Sequence, residues 1–338
     1  MVESTTTISV VIPVYNAEKY LKKCLESLIA QSYVNWEAFI IDDASTDGSL
    51  EILSQFKEKD ERIKIYHHDV NKGPGYTRNE AINYICENQK LSSSSESFIV
   101  FIDSDDWIEK EYFQSIIHVA NKDKADVIFV DVVQENENGE FIKNENMSLY
   151  KGESKDTIIR HQMTGKLPWG GCRKSVRASL IIENDISYSN DAIGEEAIYS
   201  FKLLNKAQRI GFIEKALYHY VIHLDSQSHK YDDDPWGEIC INMENYLKQN
   251  KMFDMYKNTL NSFAFTALVV SIYRITQYNN IRNAIKKSRI ALKNYKNRYG
   301  FDMDEDSLEP RVKYILPFAR LKMIIPILMI AKIKSMLK

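Results

Sequence analysis

Phe98-Ile-Val-Phe-Ile-Asp-Ser-Asp-Asp-Trp107 is the stretch from which the fold of this chain can be worked out. Its first five residues are apolar without polar alternation, which predicts a short strand buried on both faces, as in the middle of a parallel sheet. Three carboxylates follow at once, at Asp103, Asp105 and Asp106. Because ligands of open α/β sheets lie beyond the carboxyl ends of the strands, these acids are predicted to face a ligand.

The spacing of the acids favours a metal site. In extended chain, alternate residues point to the same side, so Asp103 and Asp105 are expected to share one site. Hard divalent cations such as Mg²⁺ or Mn²⁺ take oxygen ligands, commonly one or two carboxylates together with substrate phosphates. The alternative is an acidic turn that caps a helix beginning near Trp107.

Composition limits the classes of function. The 338 residues, 44% hydrophobic and 27% charged, suit one large globular domain or two modest ones. A net charge of -3 gives no general attraction to nucleic acid, so no nucleic-acid partner is expected. The four cysteines stand far apart, which indicates a reducing compartment and neither a zinc site nor a disulfide framework. Residues 1–7 carry no basic, apolar signal region, so a cytoplasmic location is expected.

Strands and helices alternate through the first half of the chain. Strands are predicted at residues 8–15, 36–41, 63–67, 98–102 and 126–133, with helices at 17–30, 49–58, 76–88 and 110–121. Such alternation predicts right-handed crossovers and a doubly wound sheet. The exits of three strands, at Tyr15, Asp43 and Asp103, are therefore expected to open onto one edge.

The second half is less regular and ends in a distinct tail. A last strand is predicted at residues 218–222 and helices from 235 to about 299. Residues 311–338 hold seven Lys or Arg and no acid, around an apolar run at 323–331 that is too short to span a bilayer. Such a tail is predicted to contact an anionic membrane surface. The alternative is a C-terminal helix packed on the core.

Four segments together resemble the inverting family 2 glycosyltransferases, which have the GT-A nucleotide-sugar fold. They are Ser9-Val-Val-Ile-Pro-Val-Tyr-Asn16, Ile40-Ile-Asp-Asp-Ala-Ser-Thr-Asp-Gly-Ser49, Asn71-Lys-Gly-Pro-Gly-Tyr-Thr-Arg-Asn79 and Phe101-Ile-Asp-Ser-Asp-Asp-Trp107. These cover roughly residues 7–110. Weaker landmarks, Leu167-Pro-Trp169, Gly194-Glu-Glu196 and Tyr218-His-Tyr220, extend the likeness to about residue 228.

The resemblance implies an α/β fold of the GT-A type. This is a Rossmann-like, mostly parallel sheet with helices on both faces, here followed by a helical C-terminal region. Residues 1–110 would form the nucleotide-sugar-binding half of one domain and residues 111–228 its acceptor-binding, catalytic half. Residues 229–310 would be the helical region and 311–338 the basic, apolar tail.

The resemblance also implies a donor site. The residues that would bind the nucleotide are Pro13, Val14, Tyr15, Asp43, Arg78, Asp103 and Ser104, with Asp105 and Asp103 as ligands of Mn²⁺ or Mg²⁺. Tyr15 would lie against the base, Asp43 would accept a hydrogen bond from uracil, and Arg78 would contact the phosphates or the base edge. These roles suit the chemistry, because a flat base fits an aromatic wall and a diphosphate fits a cation and a guanidinium.

Each of these assignments has a structural alternative. Tyr15 could belong to the core, Asp43 could only cap the turn at Ser45, and Arg78 could be a solvated helix charge.

The family usually places its catalytic base in a Glu-Asp pair at the start of a helix, where this chain has Glu195-Glu196. Glu196 matches the Asp of the pair and is the expected base, which would take the proton of the acceptor hydroxyl. The alternative is that both are acids favoured by the helix dipole. Trp169 would stack on the acceptor or fill a loop, and His223 is a further candidate metal ligand.

The predicted function is therefore a metal-dependent, inverting transfer of a hexosyl or N-acetylhexosaminyl group from a UDP-sugar to a hydroxyl of a glycan or lipid-linked acceptor. The expected setting is surface polysaccharide synthesis at the inner face of the plasma membrane. One alternative is a nucleotidyltransferase on a similar fold, although residues 14–17 lack the Gly-rich basic loop typical of that class. The other is a non-catalytic nucleotide-sugar-binding scaffold.

Overall fold

The computed structural model describes residues 6–89, 97–189, 195–223, 234 and 236–336. The chain forms two compact units. The first contains Met1–Lys155 and Gly170–Leu224, and the second contains Asp156–Trp169 and Asp225–Lys338. The domain boundary predicted between residues 228 and 229 lies outside the described residues and stays a prediction.

The first unit is built on one sheet, whose strands in the described part of the chain are β1 (Thr7–Val14), β2 (Trp36–Asp42), β3 (Ile63–His67), β4 (Ser97–Phe101), β5 (Trp107–Ile108), β6 (Val127–Asn136), β7 (Phe141–Glu145), β8 (Lys174–Arg177) and β9 (Ile210–Ile222). Their order is β3-β2-β1-β4-β8-β6-β9-β5, with β7 beside β6. The predicted parallel sheet is found in β3, β2, β1 and β4. Strand β8 is antiparallel to both its neighbours, which makes the complete sheet mixed.

The middle of the sheet is buried on both faces, as the apolar runs predict. Strand β4 is buried along its whole length, and β1 pairs with it in the register Val10 to Val100. On its other side β1 pairs with β2 in the register Val10 to Ala38. Removal of these Val and Ile side chains from water stabilises the core, at about 25 cal/mol per Å² of apolar surface.

The helices of the first unit are α1 (Glu18–Ile29), α2 (Ser49–Lys59), α3 (Pro74–Gln89), α4 (Tyr112–Asp123), α6 (Ala178–Glu183) and α7 (Glu195–Lys206). Short 3₁₀ turns occupy Met147–Tyr150 and Gly171–Arg173. Helix α1 lies within the helix predicted at residues 17–30 and buries Leu21, Cys24, Leu25 and Leu28 along one stripe. The helix expected near Trp107 was wrong, because Trp107 pairs with His219 of β9 and α4 begins only at Tyr112.

The second unit is helical within the described residues, which confirms the predicted helical C-terminal region. Its helices are α5 (Lys155–Met163), α8 (Gly237–Gln249), α9 (Phe253–Tyr278), α10 (Ile281–Arg298), α11 (Pro310–Lys313), α12 (Leu316–Arg320) and α13 (Ile324–Met336), with a 3₁₀ turn at Glu305–Ser307. Helix α9 is the centre, and α8, α10 and α13 pack against it. Of the helices in the described ranges, none is both long and apolar enough to cross a membrane.

Candidate active site

The carboxyl ends of β1, β2 and β4 meet at one edge of the sheet, as predicted. The N–H of Asp43 donates to the carbonyl of Val14 at 2.7 Å, and the N–H of Ile102 donates to that of Val11 at 3.0 Å. These bonds hold the segments that leave the three strands next to one another. The acids after β4 and those after β2 are thereby carried to the same side of the first unit.

Residues 103–106 form a turn. The N–H of Asp106 donates to the carbonyl of Asp103 at 3.0 Å, so the chain reverses here. The expectation of extended chain at Asp103 and Asp105 was therefore wrong, and their sharing of one metal site stays a prediction. Asp103 accepts a hydrogen bond from Arg78 at 2.9 Å, whereas Asp105 pairs with His223 at 2.6 Å. Ser104 is half-buried between them.

Arg78 of α3 is a buried cation shared by three carboxylates. One guanidinium nitrogen contacts Asp103 at 2.9 Å and Glu196 at 3.7 Å, and another contacts Glu195 at 3.3 Å. Burial opposes the charge of Arg78, but Asp103, Glu196 and Glu195 raise its pKa well above the usual value. The alternative of a solvated helix charge was wrong, since only 6% of Arg78 is exposed.

The three carboxylates around Arg78 do not share one electrostatic environment. Burial raises the pKa of Asp103, and Arg78 opposes that rise. Burial also raises the pKa of Glu195 to about 7, with the neighbouring Glu196 adding to the effect. Burial acts in the same direction on Glu196, but Arg78 and the N–H of Gly171 outweigh it and lower the pKa of that carboxyl. Two adjacent acids with pKa values pushed apart are an arrangement that suits two different roles in proton chemistry.

Glu195 and Glu196 open helix α7, as the sequence indicated. Glu196 accepts the N–H of Gly171 at 2.9 Å. The loop that carries this N–H is held by Lys174, whose ammonium donates to the carbonyl of Gly170 at 2.8 Å. Lys174 is fully buried, and burial lowers its pKa to about 8. Gly194, which completes the predicted motif, lies outside the described residues.

Asp43 is buried and holds the loop that leads into α3. It accepts the N–H groups of Lys72 and Gly73, each at 2.8 Å, and a hydrogen bond from His68 at 2.7 Å. The expectation that Asp43 only caps the turn at Ser45 was wrong. The neighbouring Asp42 accepts the N–H of Ser45 instead, at 3.2 Å.

His68 bridges two carboxylates, a role that the sequence did not reveal. Its two ring nitrogens lie 2.7 Å from Asp43 and 2.7 Å from Glu80. The clasp Asp43–His68–Glu80 thus joins the end of β2 to helix α3.

Tyr15 stands at the exit of β1 with 45% of its surface exposed, so the alternative of a core residue was wrong. Pro13 is half-buried, and the side chain of Val14 is fully buried. Val14 can therefore line a ligand site only through its backbone. The next residue, Asn16, adopts a left-handed conformation with φ of 50° and accepts the N–H of Thr46 at 2.8 Å, which fixes this exit.

Asp105 and His223 form a pair at the ends of the acidic turn and β9. His223 stacks on Tyr20 with ring centroids 4.9 Å apart, which fixes the imidazole plane. Its Nδ1 is buried and has no hydrogen-bond partner among the described residues. A carboxylate oxygen and an imidazole nitrogen so close together are a donor set that suits Mn²⁺ or another first-row divalent cation.

A second group of potential ligands fits a cation poorly. Atoms of Asp103, Asp106 and Cys172 lie within 4.8 Å of one another. Asp106 is committed to the hydroxyl of Tyr218 at 2.7 Å and the N–H of Val221 at 2.8 Å. Burial raises the pKa of Asp106 and of the Cys172 thiol well above their usual values, so both favour the protonated form. The two contacts of Asp106 tie the turn to β9.

Trp169 belongs to the second unit. Its indole N–H donates to the carbonyl of Gln162 at 2.6 Å, and its ring packs against Trp236 and Phe263 at 4.9 and 5.5 Å between centroids. The loop around it is well supported by these contacts. Its predicted role in binding the acceptor stays a prediction.

The sequence of this chain is similar to the sequences of known proteins. Residues 9–176 match the family described as glycosyl transferase family 2. The chain is 29% identical over 266 residues to the putative glycosyltransferase EpsH of Bacillus subtilis (strain 168), covering 77% of this chain and 74% of that protein. It is 28% identical to the poly(ribitol-phosphate) beta-N-acetylglucosaminyltransferase TarS of Staphylococcus aureus (strain Mu50), covering 63% of this chain. The chain spans only 35% of the length of TarS.

Solved structures agree on the fold. The structure of S. aureus TarS 1–349 in complex with UDP-GlcNAc has a TM-score of 0.66 and 22% identity, covering 98% of this chain and 92% of that one. The mannosyltransferase PcManGT from Pyrobaculum calidifontis, in complex with GDP-Man and Mn²⁺, has a TM-score of 0.51 and 12% identity, covering 94% of this chain and 86% of that one. The predicted GT-A fold is thereby confirmed.

Proposed function

Since this chain belongs to glycosyl transferase family 2, and is a glycosyltransferase by that membership, we propose that it moves a hexosyl or N-acetylhexosaminyl group from a UDP-sugar to a hydroxyl of a glycan or lipid-linked acceptor. We further propose that transfer inverts the sugar carbon and serves surface polysaccharide synthesis. The observation that carries the proposal is the convergence of Asp43, Arg78, Asp105 and the Glu195-Glu196 pair at one edge of the sheet.

The donor would bind at the exits of β1 and β2. Tyr15 offers an exposed aromatic face for the uracil ring. The Oδ2 of Asp43 takes one N–H, from Gly73, which leaves acceptor capacity for a uracil N–H. TarS, a structural neighbour of low identity, is described with UDP-GlcNAc, which supports a UDP-sugar as the donor class.

Asp105 and His223 would hold a divalent cation, Mn²⁺ or Mg²⁺, with Asp103 nearby in the same turn. When bound, such a cation neutralises the charge that develops on the departing diphosphate. The residues fit the group because a carboxylate oxygen and an imidazole nitrogen are already paired at 2.6 Å. The Mn²⁺ in the PcManGT complex supports metal use in this fold.

Glu196 is the proposed general base. Its side chain is 26% exposed, against 9% for Glu195, so it is the more accessible to an acceptor hydroxyl. Arg78 and the N–H of Gly171 keep it ionised at neutral pH, which is the form that accepts a proton. In direct displacement the acceptor oxygen attacks the sugar carbon, its proton passes to Glu196, and the nucleoside diphosphate leaves. When ionised, Glu195 would make Glu196 a stronger base through its negative charge.

The donor class is tested by thermal shift with a panel of UDP-, GDP- and ADP-sugars, each with and without Mn²⁺. UDP-sugars should raise the melting temperature, and Mn²⁺ should increase the effect. Hydrolysis of the stabilising donor in the absence of acceptor then tests for an enzyme. Stabilisation by UDP without hydrolysis or transfer would favour a scaffold, and stabilisation by GDP-sugars alone would contradict the UDP proposal.

The metal ligands are tested by Asp105→Asn and His223→Gln. Asp105→Asn keeps the shape of the side chain and removes its charge, and His223→Gln removes the imidazole ligand, so transfer should fall by about 100-fold or more in each variant. Retention of UDP binding in the absence of metal is the control for an intact fold. Near-normal, Mn²⁺-dependent transfer by Asp105→Asn would rule out the metal assignment.

A further inference from the structure

Helix α13 has a buried face and an exposed face that are both apolar. Ile324, Ile327, Leu328 and Ala331 are buried, on the side where the helix packs in the second unit. Ile325 and Met329, four residues apart on the other side, are 56% and 62% exposed. Residues at this spacing lie on one stripe of a helix. The alternative of a helix packed on the core thus describes the buried face, and contact of the exposed face with a membrane stays a prediction.

Exposed apolar residues also lie in the chain just before the helix. Leu321 and Met323 are exposed apolar residues, and together with Ile325 and Met329 they are here called the tail face. Lys322 and Arg311 are exposed cations in the same segment, and residues 311–338 contain seven Lys or Arg and no acid. Arg320 pairs with Glu305 at 2.8 Å in an exposed contact, which is the kind of pair that water and salt weaken.

The length of the helix and the charge of the segment restrict the partner. The 13 residues of α13 reach about 20 Å, which is short of the roughly 30 Å of a bilayer core. A second copy of the chain would bring a like-charged, acid-free segment against this one. An anionic bilayer offers apolar depth for the tail face and negative head groups for the cations.

We propose that the tail face docks this protein on the surface of a bilayer rich in anionic lipid, with α13 lying in the interface. The four apolar side chains enter the acyl boundary, and Lys322 and Arg311 contact the head groups. This inference goes beyond sugar transfer and does not depend on it. Membrane docking would also bring the protein to a lipid-linked acceptor at the bilayer surface. This consequence rests on the proposed function.

Point substitutions test the tail face better than truncation does, because Ile324, Ile327 and Leu328 are buried and their removal would open the second unit. The test variant is Ile325→Ser with Met329→Ser. The matched control is Ile290→Ser with Met255→Ser, whose side chains are 51% and 61% exposed on α10 and α9. Both double variants remove the same atoms from similarly exposed positions.

The experiment is co-sedimentation of the 338-residue chain with vesicles of phosphatidylcholine alone or mixed with phosphatidylglycerol. We expect binding to the anionic vesicles only, weaker binding at higher salt, and at least a tenfold loss in the test variant but not in the control. Lys322→Glu should weaken binding by about 30-fold, since charge reversal removes one attraction and adds one repulsion. UDP binding, measured in parallel, should stay unchanged in every variant.

Several results would overturn the inference. They are indifference of the wild-type chain to anionic vesicles, equal binding by the test and control variants, or a change in oligomeric state as the only effect of Ile325→Ser with Met329→Ser. Loss of UDP binding with vesicle binding intact would contradict the proposed function and leave the docking inference standing. The experiments can therefore contradict the docking inference and the proposed function independently of each other.

Discussion

At the scale of single residues, the site depends on Arg78. Its buried guanidinium pairs with Asp103, Glu195 and Glu196, three acids that would otherwise lie close together without a cation among them. The family resemblance predicted a contact of Arg78 with the nucleotide, but the sequence did not reveal its three carboxylate partners. Its structural role makes it as important for folding as for any contact with a nucleotide.

Arg78→Gln is expected to destabilise the protein by about 3 kcal/mol or more at pH 7, because it leaves buried carboxylates without their cation. The loss of stability should be smaller at pH 5, where those carboxylates take up protons and no longer need a cation beside them. Denaturant unfolding of the variant and the wild type at both pH values measures this. Arg78→Lys keeps the charge but loses the forked geometry of the guanidinium. Its stability should lie between those of the wild type and Arg78→Gln. An equal deficit at both pH values would contradict the account.

Glu196→Gln should lower transfer by about 10²–10⁴-fold and leave UDP binding unchanged, because the residue acts on the proton of the acceptor. Glu195→Gln is the matched control and should cost less. Because the pKa of Glu195 is about 7, its ionisation as pH rises through 7 adds negative charge beside Glu196 and makes that base stronger. The rate should therefore rise across pH 7 in the wild type, and Glu195→Gln should abolish that rise. A larger loss of transfer in Glu195→Gln than in Glu196→Gln would assign the role of general base to Glu195.

The candidate residues could be found from the sequence because each lies in a motif at a strand exit. Their partners could not be found in that way. His68 follows β3 with no motif around it, and Lys174 is a lysine inside a strand, which composition alone would place at the surface. His68 and Lys174 are brought to the site by tertiary packing, so no local sequence pattern predicts their roles.

At the scale of elements, the acidic turn is positioned by a strand far away in the chain. The hydroxyl of Tyr218 on β9 donates to Asp106 at 2.7 Å and accepts the N–H of Asp103 at 3.1 Å. This distant support also explains why the helix predicted near Trp107 was wrong. Residues 107–108 become β5 only because β9 pairs with them, and β9 begins about a hundred residues later, at Ile210.

Tyr218→Phe should destabilise the first unit by about 1–3 kcal/mol, because it leaves the N–H of Asp103 and one oxygen of Asp106 without a partner. Tyr112→Phe is the control. Tyr112 is equally buried, but its hydroxyl makes a single long contact of 3.4 Å with Ser175. Denaturant unfolding should show the greater loss in Tyr218→Phe. Equal losses would mean that the turn does not depend on this hydroxyl.

At the scale of the whole molecule, residues 156–169 group with the C-terminal helices. Arg160 donates to the hydroxyl of Thr259 at 2.8 Å, and the hydroxyl of Thr164 donates to the carbonyl of Ser307 at 2.5 Å. Contacts at such separation in the chain leave no trace in local periodicity. The sequence therefore predicted the helices of the second unit but not the segment that completes it.

Trp169→Ala should lower the stability of the second unit by about 3 kcal/mol, because it opens a space beside Trp236 and Phe263. Trp169→Phe keeps an aromatic ring in place and should cost much less. If Trp169 also binds the acceptor, Trp169→Phe will raise the KM for the acceptor and leave the KM for the donor unchanged. Thermal unfolding and initial-rate kinetics separate the two roles. A normal acceptor KM would restrict Trp169 to packing.

The strand order also governs the assembly of the first unit during synthesis. Strand β4 lies between β1, made first, and β8, made after residue 173. As the chain leaves the ribosome, the apolar β4 can pair with β1 on one side while its other edge has no neighbour. Such an edge readily pairs with strands of other chains, and sheets closed by distant contacts form slowly. The same central strand that organises the site therefore leaves the growing chain with an unpaired edge that favours aggregation until β8 is made.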